Sequence, residues 1–410
     1  MKPVRARLLL YLLGAYLLLS QVVMPLLSPF RALGLLEPGQ IRNMLLPPLF
    51  LAIVITLGLR EILRIKTALH LVLILGGVQA MIVGLPNLLD GDATRYYFSH
   101  LFQIASAYVM LVLGWSMANT IEKKFWERFV LMALLATLVS SYFTLAALAR
   151  NEVGRLYTPA YTFIFVAAYS LAYSNLQTLL VIGGLLISNK RGPMVAVIGM
   201  FAVQAAKFAV IRSPEGQGNK PIKMALAFLL AALAIGAIFA TYQWALNLTN
   251  ITSPIERAVY ITMMRLSDLI NLAETGRTLD EISAGRLTEV DAALDSLNPL
   301  NWLIGSGAGW SVTLPDGPEV QNLHFTPLSL VSVFGLPFTV TLYVLMLAVV
   351  VKSFFGMNRS RQSDATRLMA PLYLVGALIH SLFAYSLFID WLVFFFAGVA
   401  AYANKNTHPR

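Results

Sequence analysis

The chain has no cysteine, and charged residues make up only 12% of its 410 residues. The first absence excludes disulfides, thiolate nucleophiles and cysteine-based zinc sites, and it says little about compartment. The second sets the chain apart from soluble globular proteins, in which about a quarter of residues are charged. There is also no P-loop, no HExxH pair and no clustered His/Asp metal pattern. No internal repeat stands out, which weakens a transporter reading built on inverted repeats.

What the chain does have is apolar sequence, at 58% hydrophobic residues, gathered into runs separated by short polar segments. A run of about 20 residues crosses the ~30 Å hydrocarbon layer as a helix. Lipid offers no partner to a free amide, so such runs form helices or closed barrels. These runs lack the period-2 alternation of barrel strands, and the fold class expected is an all-α polytopic membrane protein. Helices are expected at 8–27, 43–60, 67–88, 97–118, 129–149, 158–174, 176–189, 194–211, 224–244, 326–351, 368–388 and 390–403. The first run, behind Lys2, Arg5 and Arg7, reads as an uncleaved helix because no small-residue cleavage site follows it. The organisation is then helices one to nine over 1–244, a large loop at 245–325, and three further helices over 326–410.

Twelve helices put both termini on one side, and the positive-inside rule makes that side cytoplasmic. It collects nineteen of the thirty basic residues, including nine of the ten lysines, and leaves eleven on the outside. The net charge of +10 is thus a topology signal and gives no reason to invoke nucleic acid. Outside, Lys190 is the sole lysine, and the other ten basic residues are arginines, among them Arg155, Arg191, Arg265 and Arg286. Arginine holds phosphate bidentately and keeps its charge when partly desolvated. A chain with twice as much arginine as lysine offers the bland alternative.

The large loop carries its own structural signals. Ser253-Pro254-Ile255-Glu256 is a capping box with proline at the first helical position. A second short helix follows Arg286 with Leu287, Val290, Leu294 and Leu297 along it, and Asn298-Pro299 ends it. Gly305-Ser306-Gly307-Ala308-Gly309 then reads as a flexible turn; it follows no strand and is not a nucleotide loop. Ordered helices in so long a loop argue against a mere connector.

Candidate chemistry gathers at the outer boundary. His324, where the chain re-enters the membrane, is of the residue type best suited to take a proton near neutral pH. An interfacial histidine with one structural hydrogen bond fits the same position. Lys190-Arg191-Gly192-Pro193 is the external turn of a tight hairpin, and it reads either as an anion site or as a snorkelling pair. His380 lies within a span, with Asp390 and Trp391 beyond it. A structural hydrogen bond for the histidine and an aromatic belt for the tryptophan fit as well as substrate contact.

Four segments in order resemble the O-antigen ligase and polymerase superfamily of bacterial envelope glycosyltransferases. They are Gly154-Arg155-Leu156-Tyr157, Ser188-Asn189-Lys190-Arg191-Gly192, Gly285-Arg286 through Asn298-Pro299-Leu300 to Gly305-Ser306-Gly307, and His324 with Leu328, Leu330 and Gly335. The chain departs from the family pattern in having Val290 where tryptophan is common and Phe325 where asparagine follows the histidine. The resemblance implies a GT-C-like fold in the bacterial inner membrane with its active site facing the periplasm. It implies transfer of a glycan from undecaprenyl diphosphate, without metal or cofactor, to lipid A–core or to another carrier-linked glycan. It implies His324 as general base and Arg286 and Arg191 on the diphosphate, with Arg155 assisting; Lys190, Arg265, His380 and Trp391 are further candidate substrate contacts by their positions alone.

Overall fold

A computed structural model describes residues 3–35, 37–89, 93–149, 160–173, 177, 180–181, 184–185, 191–210, 253, 256, 260, 286–315, 317, 319–356, 365–384 and 387–406. The described chain is all-α apart from one two-stranded hairpin. Five helices are long and apolar enough to cross a membrane: Pro3–Arg31, Gly39–Leu57, Thr94–Met117, Lys123–Phe143 and Leu336–Phe354. Four shorter apolar helices accompany them, at Ala68–Val83, Tyr161–Tyr173, Gly192–Ala206 and Leu392–Asn404. The molecule is a helical membrane protein by this count.

In chain order the elements are α1 Pro3–Leu17, a π-helical turn Leu18–Val23, α2 Met24–Ala32, α3 Pro38–Leu57, α4 Leu59–Ile62 and α5 Ala68–Val83. Next come α6 Leu85–Leu89, α7 Thr94–Met117, α8 Lys123–Ala149, α9 Ala160–Tyr173, α10 Arg191–Val210, α11 Arg286–Ser296 and α12 Pro299–Ile304. The hairpin strands β1 Val312–Thr313 and β2 Glu319–Val320 precede α13 Thr326–Phe334, α14 Leu336–Gly356, α15 Ala365–Ser381 and α16 Leu392–Asn406. The chain divides into two compact units, one of 1–56, 120–275 and 357–376, the other of 57–119, 276–356 and 377–410.

The first unit holds α1–α3 and α8–α10. Its π turn lies just ahead of Pro25, which has no N–H to give to the carbonyl four residues back. The register opens there, and the Met24 N–H reaches Leu19 five residues back. Buried hydroxyls join helices in this unit: Ser28 and Ser140 share a 2.8 Å hydrogen bond, and Trp126 Nε1 donates to Thr366. The expected start of the fifth helix at 129 moves to Lys123, because Lys123 and Glu127 pair across one turn at 3.0 Å and extend the helix into its charged end. The capping box forms as expected. The Ser253 N–H donates to Glu256 Oε2, and the Glu256 N–H donates to Ser253 Oγ.

The second unit is built on α5, α7, α14 and α16. Gly114 and Gly398 bring α7 and α16 into backbone contact, the small-residue packing that apolar helices use in lipid. Two expected spans are broken here. The 67–88 run ends at Gly84 and resumes as α6, and the 326–351 run splits at Gly335 into α13 and α14. Gly335 has φ 82°, and a side chain there would strike the Leu303 carbonyl.

The expected flexible turn at 305–309 is the material that fills these breaks. Gly305, Gly307, Ala308, Gly309 and Trp310 are buried. Ser306 N–H and Gly307 N–H donate to the carbonyls of Ser332 and Val333, which the end of α13 leaves free, and Ala308 N–H donates to Ala80. Gln79 donates from Nε2 to the carbonyls of Ile304 (2.7 Å) and Phe334 (2.9 Å), while Asn87 donates to Ser306 and Ala308. Glycine is required for proximity: at Gly307, with φ 81°, a side chain would overlap the backbone of Gly84. A run of glycines reads as slack in a sequence, whereas here it lets backbone pack on backbone.

Candidate functional site

Arg286 is the first residue of α11, and Glu289 follows one turn later on the same side. The sequence shows Leu287, Val290, Leu294 and Leu297 along this helix. The structure buries Glu289 (8% exposed) and Ala293 while Leu287 and Leu294 stay outside. The small Ala293 permits close approach to the strand at Val312–Thr313, and Glu289 tolerates burial because His324 satisfies it.

His324 sits on a short bent stretch between two fixed points. Leu323 before it is fully buried, and Phe325 after it is the N-cap of α13, with Pro327 in the first turn. Thr326 donates from Oγ1 to the Ala384 carbonyl and fixes the start of that helix. The His324 backbone N–H donates to Glu289 Oε2 at 2.9 Å, and the ring Nδ1 lies 2.8 Å from Oε1 and 3.0 Å from Oε2. One carboxylate therefore holds both the main chain and the ring.

Burial alone would raise the Glu289 carboxyl. The side-chain and backbone hydrogen bonds from His324, with attraction from His324 and Arg286, outweigh it and hold the group below the usual carboxylate range. An ionised carboxylate only accepts, so Nδ1 carries the proton and donates. In the neutral ring the lone pair is then on Nε2, which makes no hydrogen bond among the described residues, and the His324 side chain is 54% exposed. Partial burial lowers the Arg286 guanidinium from its ordinary value, against the opposing pull of the Glu289 carboxylate. The arrangement is an open imidazole nitrogen, oriented from behind by a buried carboxylate, with an arginine on the same helix. Such a set can take a proton from a hydroxyl and stabilise an anion beside it.

The other expected site residues are placed less fully. Arg155, Lys190 and Arg265 lie outside the described residues. Arg191 is the first residue of α10, and its side chain is also outside that set. His380 is buried in the last turn of α15. Trp391 is buried with its ring edge-on to Phe102, at 5.5 Å between centroids. Of the named residues, His324 is thus bonded to Glu289, and Arg286 lies one turn before that carboxylate on the same helix.

Glu289 was missed by sequence reasoning, and so were the residues that hold the glycine run in place. His100, buried in α7, accepts from the Gly309 N–H at Nδ1 (3.1 Å). The usable signal for Glu289 was its i+3 spacing from Arg286, on a helix otherwise read for its leucines. Among the described residues no three His, Asp or Glu side chains gather where a metal ion would fit. Comparison with protein-family models, curated proteins and solved structures finds no match to the chain.

Proposed function

We propose that the chain is an inverting glycosyltransferase of the O-antigen ligase type, moving a glycan from undecaprenyl diphosphate to an acceptor hydroxyl at the periplasmic face. The observation that carries this reading is the exposed Nε2 of His324, backed by the buried Glu289 and accompanied by Arg286. The acceptor O–H gives its proton to Nε2 as the oxygen attacks the anomeric carbon. The bond from that carbon to the diphosphate oxygen breaks, and configuration inverts. The diphosphate is already a good leaving group, and Arg286 neutralises the charge it gains. Arg191 and Arg155 would share that task, with Lys190, Arg265, His380 and Trp391 as further substrate contacts, and these six roles rest on the resemblance and on position in the sequence.

The test uses the purified chain with a lipid-linked glycan, with and without lipid A–core. Transfer to the core that disappears in His324→Ala is the expected result. Chain growth without the core would make the protein a polymerase using the same donor. Full transfer by His324→Ala would end the assignment of the base.

One observation favours a second reading, a lipid-linked glycan transporter: the helix breaks at Gly84 and Gly335 resemble the discontinuous helices on which transporters build their sites. Carbonyls freed at these breaks are occupied by Gln79 and by amides of the glycine run, which are neutral donors within the fold. Glycan uptake into proteoliposomes that survives His324→Ala would favour the transporter.

A further inference from the structure

The short helix α12 has two unlike faces. Asn298 caps it, accepting from the Asn301 N–H, and Asn301 Nδ2 donates inward to Ser306 Oγ at 3.0 Å. Leu300 and Leu303, three residues apart on one side, are 60% and 59% exposed. Two leucines so open to water on a helix of six residues call for a cover.

Its position in the unit names that cover. On α14 the exposed residues Leu336, Val340, Val344, Leu347 and Val351 recur at helical spacing and form one apolar stripe. The helix has 21 residues, about 31 Å at 1.5 Å each, as long as a bilayer core is thick, and the stripe covers about 22 Å of it from the Gly335 end. It begins at Gly335, where the Leu303 carbonyl is in contact. On α5 a second stripe runs through Leu71, Leu75, Val78 and Ile82, and it does not stop at the Gly84 break. Leu85 and Leu89 on α6 are exposed as well, beyond the break. Gly84 and Gly335 are tied to the same glycine run, so the first stripe begins at the layer that α12 occupies and the second passes through it.

We propose that α12 is seated in the bilayer, with Leu300 and Leu303 among the acyl chains at the Gly335 end of the spans. The Asn298 cap on the Asn301 N–H and the Asn301 side chain turned to Ser306 keep those polar groups paired within the fold. α11 leads into it across Leu297 and Asn298, and from Glu289 to the end of α11 is about 10 Å of helix. The seat therefore keeps Arg286 and Glu289, with His324, within a short helix of the bilayer surface. The proposal rests on the membrane reading and stands apart from glycosyl transfer.

Because the chain has no cysteine, single labels can be placed without background. Leu300→Cys, Leu303→Cys, Val344→Cys and Asp295→Cys would each be spin-labelled in the full chain in phosphatidylethanolamine–phosphatidylglycerol liposomes. Collision with oxygen and with a water-soluble nickel chelate is then compared. Labels at 300 and 303 should show an oxygen-to-nickel ratio several-fold above that at 295 and on the side of 344. A ratio matching 295 would place α12 in water, and protection from both reagents would mean a protein surface covers it; either overturns the proposal. In the unmodified chain, a photoreactive diazirine on the lipid acyl chain should label the peptide holding residues 299–304. An unlabelled peptide would overturn it too.

Discussion

Glu289 grips His324 twice, accepting from its backbone N–H at 2.9 Å and standing 2.8 Å from its ring Nδ1. The two grips do different things. The backbone bond fixes where the residue sits, and the ring bond fixes which nitrogen faces outward.

Removing the base and removing its support should therefore be separable. His324→Ala should cut transfer by about 10²–10⁴-fold, the usual contribution of a general base, with donor binding retained. Glu289→Gln keeps an acceptor oxygen yet also offers an N–H, so the ring can turn over its proton between nitrogens. Transfer should fall by a smaller factor, while selectively ¹⁵N-labelled histidine, one signal of five, shows the loss of the single Nδ1–H form. An unchanged tautomer in Glu289→Gln would remove the orienting role.

Stability should carry the same signature against pH. The folded Glu289 carboxyl lies below its ordinary value, so its contribution is fully present above the unfolded value of about 4.3. The contribution is lost as pH falls through the folded value. The difference in melting temperature between the wild type and Glu289→Gln should be constant near neutrality and shrink on acidification below that range. A difference that grows with acid would contradict the sign.

Arg286 separates charge from geometry. Arg286→Ala should lower kcat by about 10²–10³-fold, the scale for losing one donor to a developing anion. Arg286→Lys retains the charge without the two-pronged contact and should recover only part of that loss, most visibly in the donor KM. Equal activity of the lysine and arginine forms would reduce the residue to a point charge.

The glycine layer gives a structural prediction. Gln79→Leu strips two carbonyls, at Ile304 and Phe334, of their partner, at roughly 1–3 kcal/mol for each buried group left bare. Gly307→Ala adds a side chain where the φ of 81° and the backbone of Gly84 both oppose it. Both should lower the melting temperature in detergent, and Gly39→Ala, where a side chain meets nothing within 4 Å, should not.

The helical membrane class was legible from run length and charge alone, and so was the capping box at Ser253, because both signals are local. The breaks at Gly84 and Gly335 were not legible, since each lies inside an apolar run and depends on what packs across from it. His324 and Arg286 could be chosen from residue type and order. Glu289 could not, because its burial is set by a contact 35 residues away rather than by any neighbour in the chain. The order of residues along α11 did not show its packed face, which buries Glu289 and Ala293 and leaves Leu287 and Leu294 exposed.

The segment 305–309 donates to and accepts from Ala80, Asn87 and His100 as well as the end of α13. A stretch held this way is not a cassette. Grafting residues 286–325 onto another membrane scaffold would import the histidine and its carboxylate without the three helices that receive their glycines. A hybrid that works would have to carry α5, α6 and α7 along with the loop.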